Sequence, residues 1–235
     1  MSNIHESYQE TLPFQLFDRG DFNTYVVGSN EAAVRVLKQA LENTTHEFYY
    51  VFGPHGCGKT HLLNALYRSL RNPALQCFYL DLHLGMMLSP QLLDIKLPQF
   101  IIIDNADAVA GDSDWELALF DLFNRWYDKR EGTLIMSGSS SYDKISYERA
   151  DLNTRLGSGV SLPLNYLDEN QCVEALKKRA NGRAFSMPDA TAAFLVRHFN
   201  RDMNNLVKLL DILDRAQFSQ RHQLTIPFVK KVLKM

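Results

Sequence analysis

The chain has 235 residues, of which 46% are hydrophobic and 22% are charged, and its formal net charge is −2. These values are typical of a globular protein with one domain, or with one domain and a small appendage. The slightly acidic balance gives no reason to expect broad nucleic-acid binding, and no apolar run reaches the roughly 18 residues that a membrane span requires.

The N-terminal sequence and the cysteines indicate the cellular compartment. The first ten residues, MSNIHESYQE, lack the basic and apolar regions of a signal peptide. The three cysteines, Cys57, Cys77 and Cys172, do not have the spacing of a disulfide framework or a zinc site. We therefore expect a cytoplasmic protein with reduced thiols.

Strand and helix patterns alternate along most of the chain. Residues 1–20 are polar with isolated apolar positions, which predicts a tail outside the core. The segment NEAAVRVLKQALEN then carries an apolar helical stripe. Five short apolar runs predict strands; they are FYYVF, LQCFYLDL, FIII, TLIMSG and VSLPL, beginning at residues 48, 75, 100, 133 and 160.

Helices are predicted in HLLNALYRSL, after the first strand, and in DWELALFDLFNRWYDK, between the third and fourth. Because the strands are apolar throughout and alternate with helices, we expect a parallel sheet covered on both faces, within residues 21–165. The strand signals largely stop after residue 165. Helical segments then predict a separate bundle of three or four helices over residues 166–235.

Residues 53–60, GPHGCGKT, match the phosphate-binding pattern G-x-x-x-x-G-K-[ST] between a predicted strand and a predicted helix. The backbone N–H groups of such a loop and the helix N-terminus bind phosphate. We expect Lys59 to reach the β- and γ-phosphates and the Thr60 hydroxyl to bind Mg²⁺. The predicted nucleotide-binding residues of this stretch are Pro54, His55, Gly56, Cys57, Gly58, Lys59, Thr60 and His61.

Asp104, at the end of FIII, is the candidate carboxylate that holds Mg²⁺ together with Thr60. P-loop proteins that hydrolyse nucleotide usually carry a second carboxylate at the next position, where this chain has Asn105. An amide can orient a water molecule, but it cannot take a proton from it. The pattern predicts slow intrinsic hydrolysis. Asp107 is an alternative base, but we expect it to be solvated or to cap a helix.

The P-loop, the Asp104 strand and the helical C-terminal segment, in this order, resemble the AAA+ ATPases. Within them the chain is similar to the replication-initiator group, and in particular to DnaA-homologous regulators. The stretches that carry the resemblance are FNTYVVGSN, IIIDNADAVAG, DLNTRLG and LTIPFVKKVLK. The resemblance covers nearly the whole chain and implies an α/β AAA+ fold, with a five-stranded parallel sheet sandwiched by helices and a small C-terminal helical lid domain.

The resemblance also assigns residues to the nucleotide base and to the end of the fourth strand. It implies that Tyr25, Val26 and Val27 contact the base. TLIMSGS matches the strand that the family calls sensor 1, and Ser137 and Ser139 are the candidates for its polar residue near the γ-phosphate.

The lid sequence MNNLVKLLD matches the sensor 2 helix of the family, in which an arginine normally reaches the nucleotide. This chain has Asn204 at that position, and Arg201, one turn earlier, is the candidate substitute. Loss of a cation at the γ-phosphate weakens a preference for triphosphate. The expected ligand is therefore ADP or another nucleoside diphosphate, with ATP as the alternative and Mg²⁺ as the metal.

Arg155, in DLNTRLGSG, matches the arginine finger of the family, which enters the nucleotide site of another subunit. In GTPases such an arginine contributes roughly 10³ to 10⁵ in rate. From the residues alone, a surface arginine that pairs with Asp151 at i,i+4 spacing stays open as the alternative.

The tail sequence QETLPF is similar to the peptide motifs that bind the DNA polymerase sliding clamp. Gln9 would supply the polar anchor, and Leu12 and Phe14 the apolar ones. Pro13 limits the entropy that the peptide loses on docking. Glu10 departs from the apolar residue that is more usual at its position.

The resemblance implies a negative regulator of replication initiation that stimulates hydrolysis of DnaA-bound ATP at the sliding clamp on DNA, and a homodimer is one assembly that it allows. No helix-turn-helix segment follows the predicted lid, which argues against sequence-specific DNA binding. Three alternatives remain open at this level: a loader or other ATPase that hydrolyses its own ATP, a nucleotide-locked adaptor without catalytic influence, and a truncated DNA-binding relative of the initiators.

Overall fold

The computed structural model describes residues 20–43, 45–70, 76–85, 87–183, 185–199, 202–220 and 224–235, without the side chains of 218–220. The predicted clamp-binding residues Gln9, Leu12, Pro13 and Phe14 lie outside these ranges, and so does Arg201.

The order of elements in the described ranges follows the predicted alternation of strands and helices. The strands are β1 (Phe48–Phe52), β2 (Cys77–Asp81), β3 (Phe100–Asp104), β4 (Thr133–Gly138) and β5 (Val160–Pro163). The helices are α1 (Glu31–Asn43), α2 (Lys59–Ser69), α3 (Leu82–Gly85), α4 (Ser113–Lys129), α5 (Ala150–Leu156), α6 (Glu169–Gly182), α7 (Asp189–His198), α8 (Met203–Gln220) and α9 (Ile226–Leu233). Among the described residues, four 3₁₀ helices cover Gly28–Asn30, Pro90–Leu93, Ala106–Val109 and Tyr142–Lys144.

The five strands form one sheet in the order β2-β3-β4-β1-β5, and all neighbouring pairs are parallel. This confirms the predicted five-stranded parallel sheet. The register pairs Asp81 of β2 with Asp104 of β3, so two carboxylates meet at the carboxyl edge of the sheet. In open α/β sheets this edge is where ligands bind.

Apolar side chains alternate between the two faces of the sheet, and helices cover both. The first face packs against α4 and α5, in a cluster that includes Phe48, Tyr50, Ile101, Ile103, Leu119, Phe123 and Leu152. The second face packs against α1 and α2, in a cluster that includes Tyr49, Val51, Ile102, Ile135, Leu37 and Leu62. Each large apolar side chain that is fully buried in this way contributes about 1.5–3 kcal/mol to folding.

Helix α4 shows how local sequence determines one of these covering layers. The Asp112 side chain accepts hydrogen bonds from the backbone N–H groups of Asp114 and Trp115, which caps the N-terminus. Its apolar residues Trp115, Leu119, Leu122, Phe123 and Trp126 are buried against the first face. Arg130, in a left-handed conformation with a φ of 58°, ends the helix.

Helices α6 to α9 enclose a third core, which contains Cys172, Leu176, Leu195, Leu206, Leu210 and Val229. A capping box begins α6, because Asp168 and Gln171 each bond the other's backbone N–H. Val26, which precedes α1, packs against this core and thereby joins the base of the protein to the lid. No helix of the described ranges is long and apolar enough to cross a membrane.

Candidate nucleotide site

The loop between β1 and α2 has the backbone conformation that phosphate binding requires. Gly56 and Gly58 have φ angles of +80° and +99°, which side-chain-bearing residues rarely adopt. A Cβ atom on Gly56 would also lie 2.1 Å from Oδ1 of Asp202, at the start of the lid helix α8. The loop can therefore curl, and the lid can contact it directly, only because residue 56 is glycine.

Lys59 is only 7% exposed, and its ammonium group lies in the curl of this loop. Its Nζ donates hydrogen bonds to the carbonyl oxygens of Gly53, at 2.7 Å, and of Pro54, at 3.3 Å. The cation is thus held where the phosphates of a nucleotide would lie.

Asp104 is completely buried at the carboxyl end of β3. The Ser137 hydroxyl donates to Oδ1, and the Tyr79 hydroxyl donates to Oδ2 at 3.2 Å. Burial raises the pKa of this carboxyl above its ordinary value, although hydrogen bonds from Ser137, Thr60 and Tyr79 oppose the effect. The hydrogen bond from Thr60 brings the two predicted Mg²⁺ ligands together.

Asn105 is fixed on two sides in a left-handed turn with a φ of 56°. Its backbone N–H donates to Oγ of Ser137 at 2.9 Å. Its side-chain Nδ2 donates to Oδ1 of Asp81, also at 2.9 Å. The amide is therefore oriented by a carboxylate from the neighbouring strand.

A cavity of about 590 Å³ extends from the P-loop to the lid. The part of the protein before the lid contributes ten of the lining residues: His55, Gly56, Gly58, Lys59, Thr60, His61, Asn64, Asp81, His83 and Asn105. The lid contributes the other eight, which are Arg179, Arg183, Met203, Asn204, Val207, Lys208, Asp211 and Arg215. The cavity thus joins most of the predicted P-loop residues to Asn204.

The residues predicted to contact the base lie beside this cavity and do not line it. The Tyr25 ring is buried, 5.1 Å from the His61 ring in an edge-on arrangement, and its edge faces Gly58. Val26 packs against the lid core, whereas Val27 packs against the core of α1 and α2. This segment supports the site from behind.

Ser137 and Ser139 lie in different environments. Ser137 is buried on Asp104, as described above. Ser139 is exposed, and both its backbone N–H and its hydroxyl donate to Oδ2 of Asp107. Neither lines the cavity, and Asp107, which we expected to be solvated or to cap a helix, instead receives these two hydrogen bonds.

The predicted lid residue Asn204 touches the tip of the P-loop. Its Nδ2 lies 3.3 Å from Nε2 of His55 and 3.4 Å from Nδ1. Asp202 lies 3.8 Å from the same ring and accepts a hydrogen bond from the Asn204 N–H at 2.8 Å. The start of α8 is therefore seated on the loop.

A second contact joins the lid to α2. Arg179 of α6 donates to Nδ1 of His61 at 2.7 Å, and Nε2 of the same ring lies 3.3 Å from the Asp21 carbonyl oxygen. Because arginine can only donate, His61 carries its proton on Nε2. Burial lowers the pKa of His61 below its ordinary value, and burial together with Arg183 lowers the pKa of Arg179 to about 10.

Sequence reasoning missed most of the lid residues that line the cavity. Asn204, Lys208, Asp211 and Arg215 recur at intervals of four, three and four, which is one face of a helix. This polar stripe, on the same helix as the sensor 2 position, could have predicted these cavity residues from the sequence. Asp81 was also missed, although it ends a predicted strand.

Arg155 lies on the other side of the sheet from this cavity. Its guanidinium carbon is 5.6 Å from the ring centre of Tyr127 and 5.8 Å from those of Phe120 and Phe123. These rings belong to α4, which covers the first face, whereas the P-loop helix α2 covers the second. No ion pair with Asp151 occurs among the described residues, and Arg155 does not line the cavity.

The residues of the cavity, together with the buried Asp104 beside Thr60, fit a nucleotide with a bound metal ion. The curled loop offers backbone N–H groups, Lys59 offers a buried positive charge, and Thr60 and Asp104 offer two oxygen ligands that suit Mg²⁺. Bound Mg²⁺ would neutralise charge on the phosphate oxygens in this position.

Comparison with known protein families assigns the two parts of the chain separately. Residues 45–170, more than half of the chain, match the family described as the AAA domain. Residues 168–233 match the family described as the Hda lid domain. An uncharacterized protein of Haemophilus influenzae is 33% identical over 228 residues, which are 97% of this chain and 99% of that protein.

Solved structures show the same fold at low sequence identity. Domain III of the replication initiation protein DnaA from Thermotoga maritima matches with a TM-score of 0.78 and 19% identity, over 91% of this chain and 95% of that one. AMPPCP-bound DnaA from Aquifex aeolicus matches with a TM-score of 0.66 and 19% identity, over 86% and 70%. The RuvB Holliday junction branch migration motor of T. maritima matches with a TM-score of 0.63 and 15% identity, over 90% and 72%.

The two family matches adjoin near residue 168 and together account for the chain from the strand before the P-loop to the last lid helix. The chain belongs to the AAA+ family, as an Hda-like protein with the fold of DnaA domain III.

Proposed function

We propose that this protein is a negative regulator of DNA replication initiation that acts in the cytoplasm on ATP-bound DnaA. It holds a nucleoside diphosphate in its own cleft, docks on the DNA-loaded sliding clamp through its tail, and inserts Arg155 into the nucleotide site of DnaA. The Hda lid match and the DnaA-like fold support a DnaA-related replication regulator. The observation that carries the proposal is the position of Arg155, on the opposite face of the sheet from its own cleft.

The chain's own cleft suits nucleotide holding better than nucleotide turnover. Asp104 and Thr60 can hold Mg²⁺, but Asn105 has no group that takes a proton from water, and its amide is bound to Asp81. Asn204, which contacts His55, occupies the lid position at which the family has an arginine. We therefore expect ADP or another nucleoside diphosphate to remain bound with weak intrinsic ATP hydrolysis.

Arg155 would act on the ATP of the partner. Its guanidinium would donate to the phosphate oxygens as negative charge develops between the β- and γ-phosphates. In that reaction a water oxygen bonds to the γ-phosphorus, the bond to the bridging oxygen breaks, and ADP, phosphate and a proton result. The aromatic rings under Arg155 present the guanidinium without neutralising it.

The tail residues Gln9, Leu12, Pro13 and Phe14 would anchor the protein on the clamp. Docking on a clamp that is already on DNA raises the effective concentration of Arg155 near DNA-bound DnaA without any new contact. Two copies on one clamp, or a homodimer, would strengthen this effect in the same way.

The proposal is tested by the rate of hydrolysis of DnaA-bound ATP in the presence of this protein, ADP and DNA-loaded clamp. We expect Arg155→Ala to lower the stimulated rate by about 10³ or more, as an arginine finger does. Combined alanine substitution at Gln9, Leu12 and Phe14 should lower the rate at limiting protein concentration.

Arg149→Ala is the matched control, because Arg149 is also a cation over the Phe120 ring, at 5.4 Å. It should retain most of the stimulated rate. Full activity of Arg155→Ala would show that the protein has no arginine finger at this position and that it acts, at most, as an adaptor.

Single-turnover assay of the isolated protein tests the rival proposal of a self-sufficient ATPase. We expect slow hydrolysis. Rapid hydrolysis that Asp104→Ala abolishes would overturn the present proposal, and specific binding of the protein alone to origin DNA would favour a DNA-binding relative of the initiators.

A further inference from the structure

The segment that leads into α5, residues 145–149, is fixed to the turn that follows Asp104. Tyr147 is 8% exposed, and its hydroxyl donates a hydrogen bond to the Ala106 carbonyl oxygen at 2.9 Å. Burial raises the pKa of this phenol, so it stays a neutral donor. Ala106 lies two residues after Asp104, so this bond spans from the nucleotide site to the segment that precedes Arg155.

A buried carboxylate fixes the same segment from the other side. Glu116 of α4 is only 1% exposed. Its Oε1 accepts from the backbone N–H of Gly111 at 2.8 Å and of Glu148 at 3.1 Å, and its Oε2 accepts from that of Arg149 at 2.8 Å. A buried charge is stable only with such partners. Its hydrogen bonds therefore determine where the segment lies.

Helix α5 packs on the first face of the sheet through the fully buried Leu152 and Leu156, and these anchors hold its N-terminal end. It has seven residues, which is too short for a helix to be stable by itself. Arg149 occupies its N-cap position without a side-chain cap. Asn153 adds one hydrogen bond, from Nδ2 to the Ile145 carbonyl oxygen at 3.1 Å. Arg155 lies in the last turn, so a tilt of the helix moves the guanidinium.

We propose that Glu116 and Tyr147 are positioning residues for Arg155. They hold the N-terminal end of α5 in a fixed position on the sheet. The hydrogen bond from Tyr147 to Ala106 links that position to the turn beside Asp104. This inference rests on the proposed function of Arg155 as an arginine finger. Neither residue touches the nucleotide cavity or the guanidinium among the described contacts; both act through the backbone that precedes α5.

Two conservative variants test this role. Tyr147→Phe removes one hydroxyl, and Glu116→Gln removes the charge that accepts three N–H groups. Tyr50→Phe is the matched control, because Tyr50 is fully buried in the same cluster and donates to the Ser140 carbonyl oxygen at 3.0 Å, outside residues 145–149. The amount of folded protein is normalised by the stoichiometry of ADP binding.

The assay is stimulated hydrolysis of DnaA-bound ATP, measured against the concentration of this protein on DNA-loaded clamp. We expect the maximal rate to fall about tenfold or more in Tyr147→Phe and Glu116→Gln, because small misplacement of a catalytic group is costly. The concentration for half-maximal rate and the dissociation constant for ADP should stay within about twofold of wild type, and Tyr50→Phe should keep the wild-type maximal rate.

Arg155→Ala separates failure of this inference from failure of the proposed function. If Arg155→Ala abolishes stimulation while Tyr147→Phe and Glu116→Gln keep the wild-type maximal rate, the inference is wrong and the proposed function stands. A change in half-maximal concentration alone would also overturn it, because that result assigns the two residues to docking. If Arg155→Ala is fully active, the arginine finger itself is wrong and the inference falls with it.

Discussion

The side-chain amide of Asn105 donates a hydrogen bond to Oδ1 of Asp81 across 2.9 Å. Asp81 is the last residue of β2, and Asn105 directly follows the last residue of β3. Both lie at the carboxyl edge of the sheet, where Asp81 and Asp104 are paired in register. A carboxylate at position 105 would add a third negative charge to this edge. The amide at 105 is therefore complementary to Asp81, and both belong to one local arrangement.

Replacement of Asn105 by Asp should destabilise the protein. Aspartate tolerates the left-handed backbone at this position, so the substitution changes charge with little backbone strain. The donor is lost and two carboxylates face each other, and since both sites are partly exposed we expect a loss of about 1 kcal/mol in the free energy of unfolding. Urea denaturation at neutral pH measures it.

The double variant Asn105→Asp with Asp81→Asn is the control. It reverses donor and acceptor and removes the like charges, so most of the lost stability should return. An additive loss in the double variant would contradict the assignment of the Asn105–Asp81 hydrogen bond as the cause.

Ser137→Ala should be far more harmful than Ser139→Ala. The Ser137 hydroxyl donates to buried Asp104 and accepts from the Asn105 N–H, so its removal takes one hydrogen-bond partner from each of these groups. We expect a loss of about 1–3 kcal/mol in stability and weaker Mg²⁺-dependent nucleotide binding. Thermal unfolding and titration with ADP, with and without Mg²⁺, report the two effects.

Ser139 is the matched control, because it directly follows the same strand, β4. It is exposed, and its hydroxyl donates a hydrogen bond to Asp107. Its replacement by Ala should change stability by less than about 0.5 kcal/mol. Equal effects at the two positions would contradict the assignment of Ser137 as the polar residue that serves Asp104.

Arg179→Met should loosen the hold of the lid on the nucleotide. The substitution keeps side-chain volume but leaves the buried Nδ1 of His61 without its donor, and it removes a cation from the cavity. We expect nucleotide dissociation to accelerate about tenfold, which corresponds to roughly 1.4 kcal/mol. Stopped-flow release of a fluorescent ADP analogue measures the rate.

Arg197→Ala provides the comparison, because Arg197 is an exposed lid arginine that pairs with Glu169. Its removal should leave the release rate unchanged, as exposed ion pairs contribute little. Unchanged release in Arg179→Met would show that the contact with His61 does not hold the lid.

The sequence was sufficient for the parts of this molecule that depend on neighbouring residues. The strand FYYVF, the glycines of the P-loop and the Asp168 capping box each determine local structure, and all three were predictable. Contacts between distant segments were not. His61 and Arg179 are 118 residues apart, and their contact depends on how the lid docks, which no local pattern specifies.

The sequence also could not predict the surroundings of Tyr25, Val26 and Val27, the residues that the resemblance assigns to the nucleotide base. The run Tyr25 to Val27 is apolar, but its side chains divide between two cores: Tyr25 and Val27 pack in the core of α1 and α2, where Tyr25 also faces the P-loop, and Val26 packs in the lid core. An apolar run predicts burial, but the face to which each residue turns follows from the packed elements around it.

The three thiols should react slowly in the native protein. Cys57 and Cys172 are buried, and burial raises the pKa of Cys77 to about 12, far above neutral pH. Since the thiolate is the reactive form, a raised pKa lowers the reactive fraction at pH 8. Labelling with a disulfide reagent should be slow without denaturant and fast in urea, and bound ADP should slow it further at Cys57; a fast phase in the native protein would contradict the described burial.

The close approach of Asp202 to Gly56 limits how a ligand can reach the cavity. The lid contacts the tip of the P-loop so closely that not even a methyl group fits between them. A ligand therefore cannot pass between the lid and the tip of the loop. Asn64 of α2 and Lys208 and Arg215 of α8 line the same cavity. Under the proposed function, these side chains would govern the rate of nucleotide exchange.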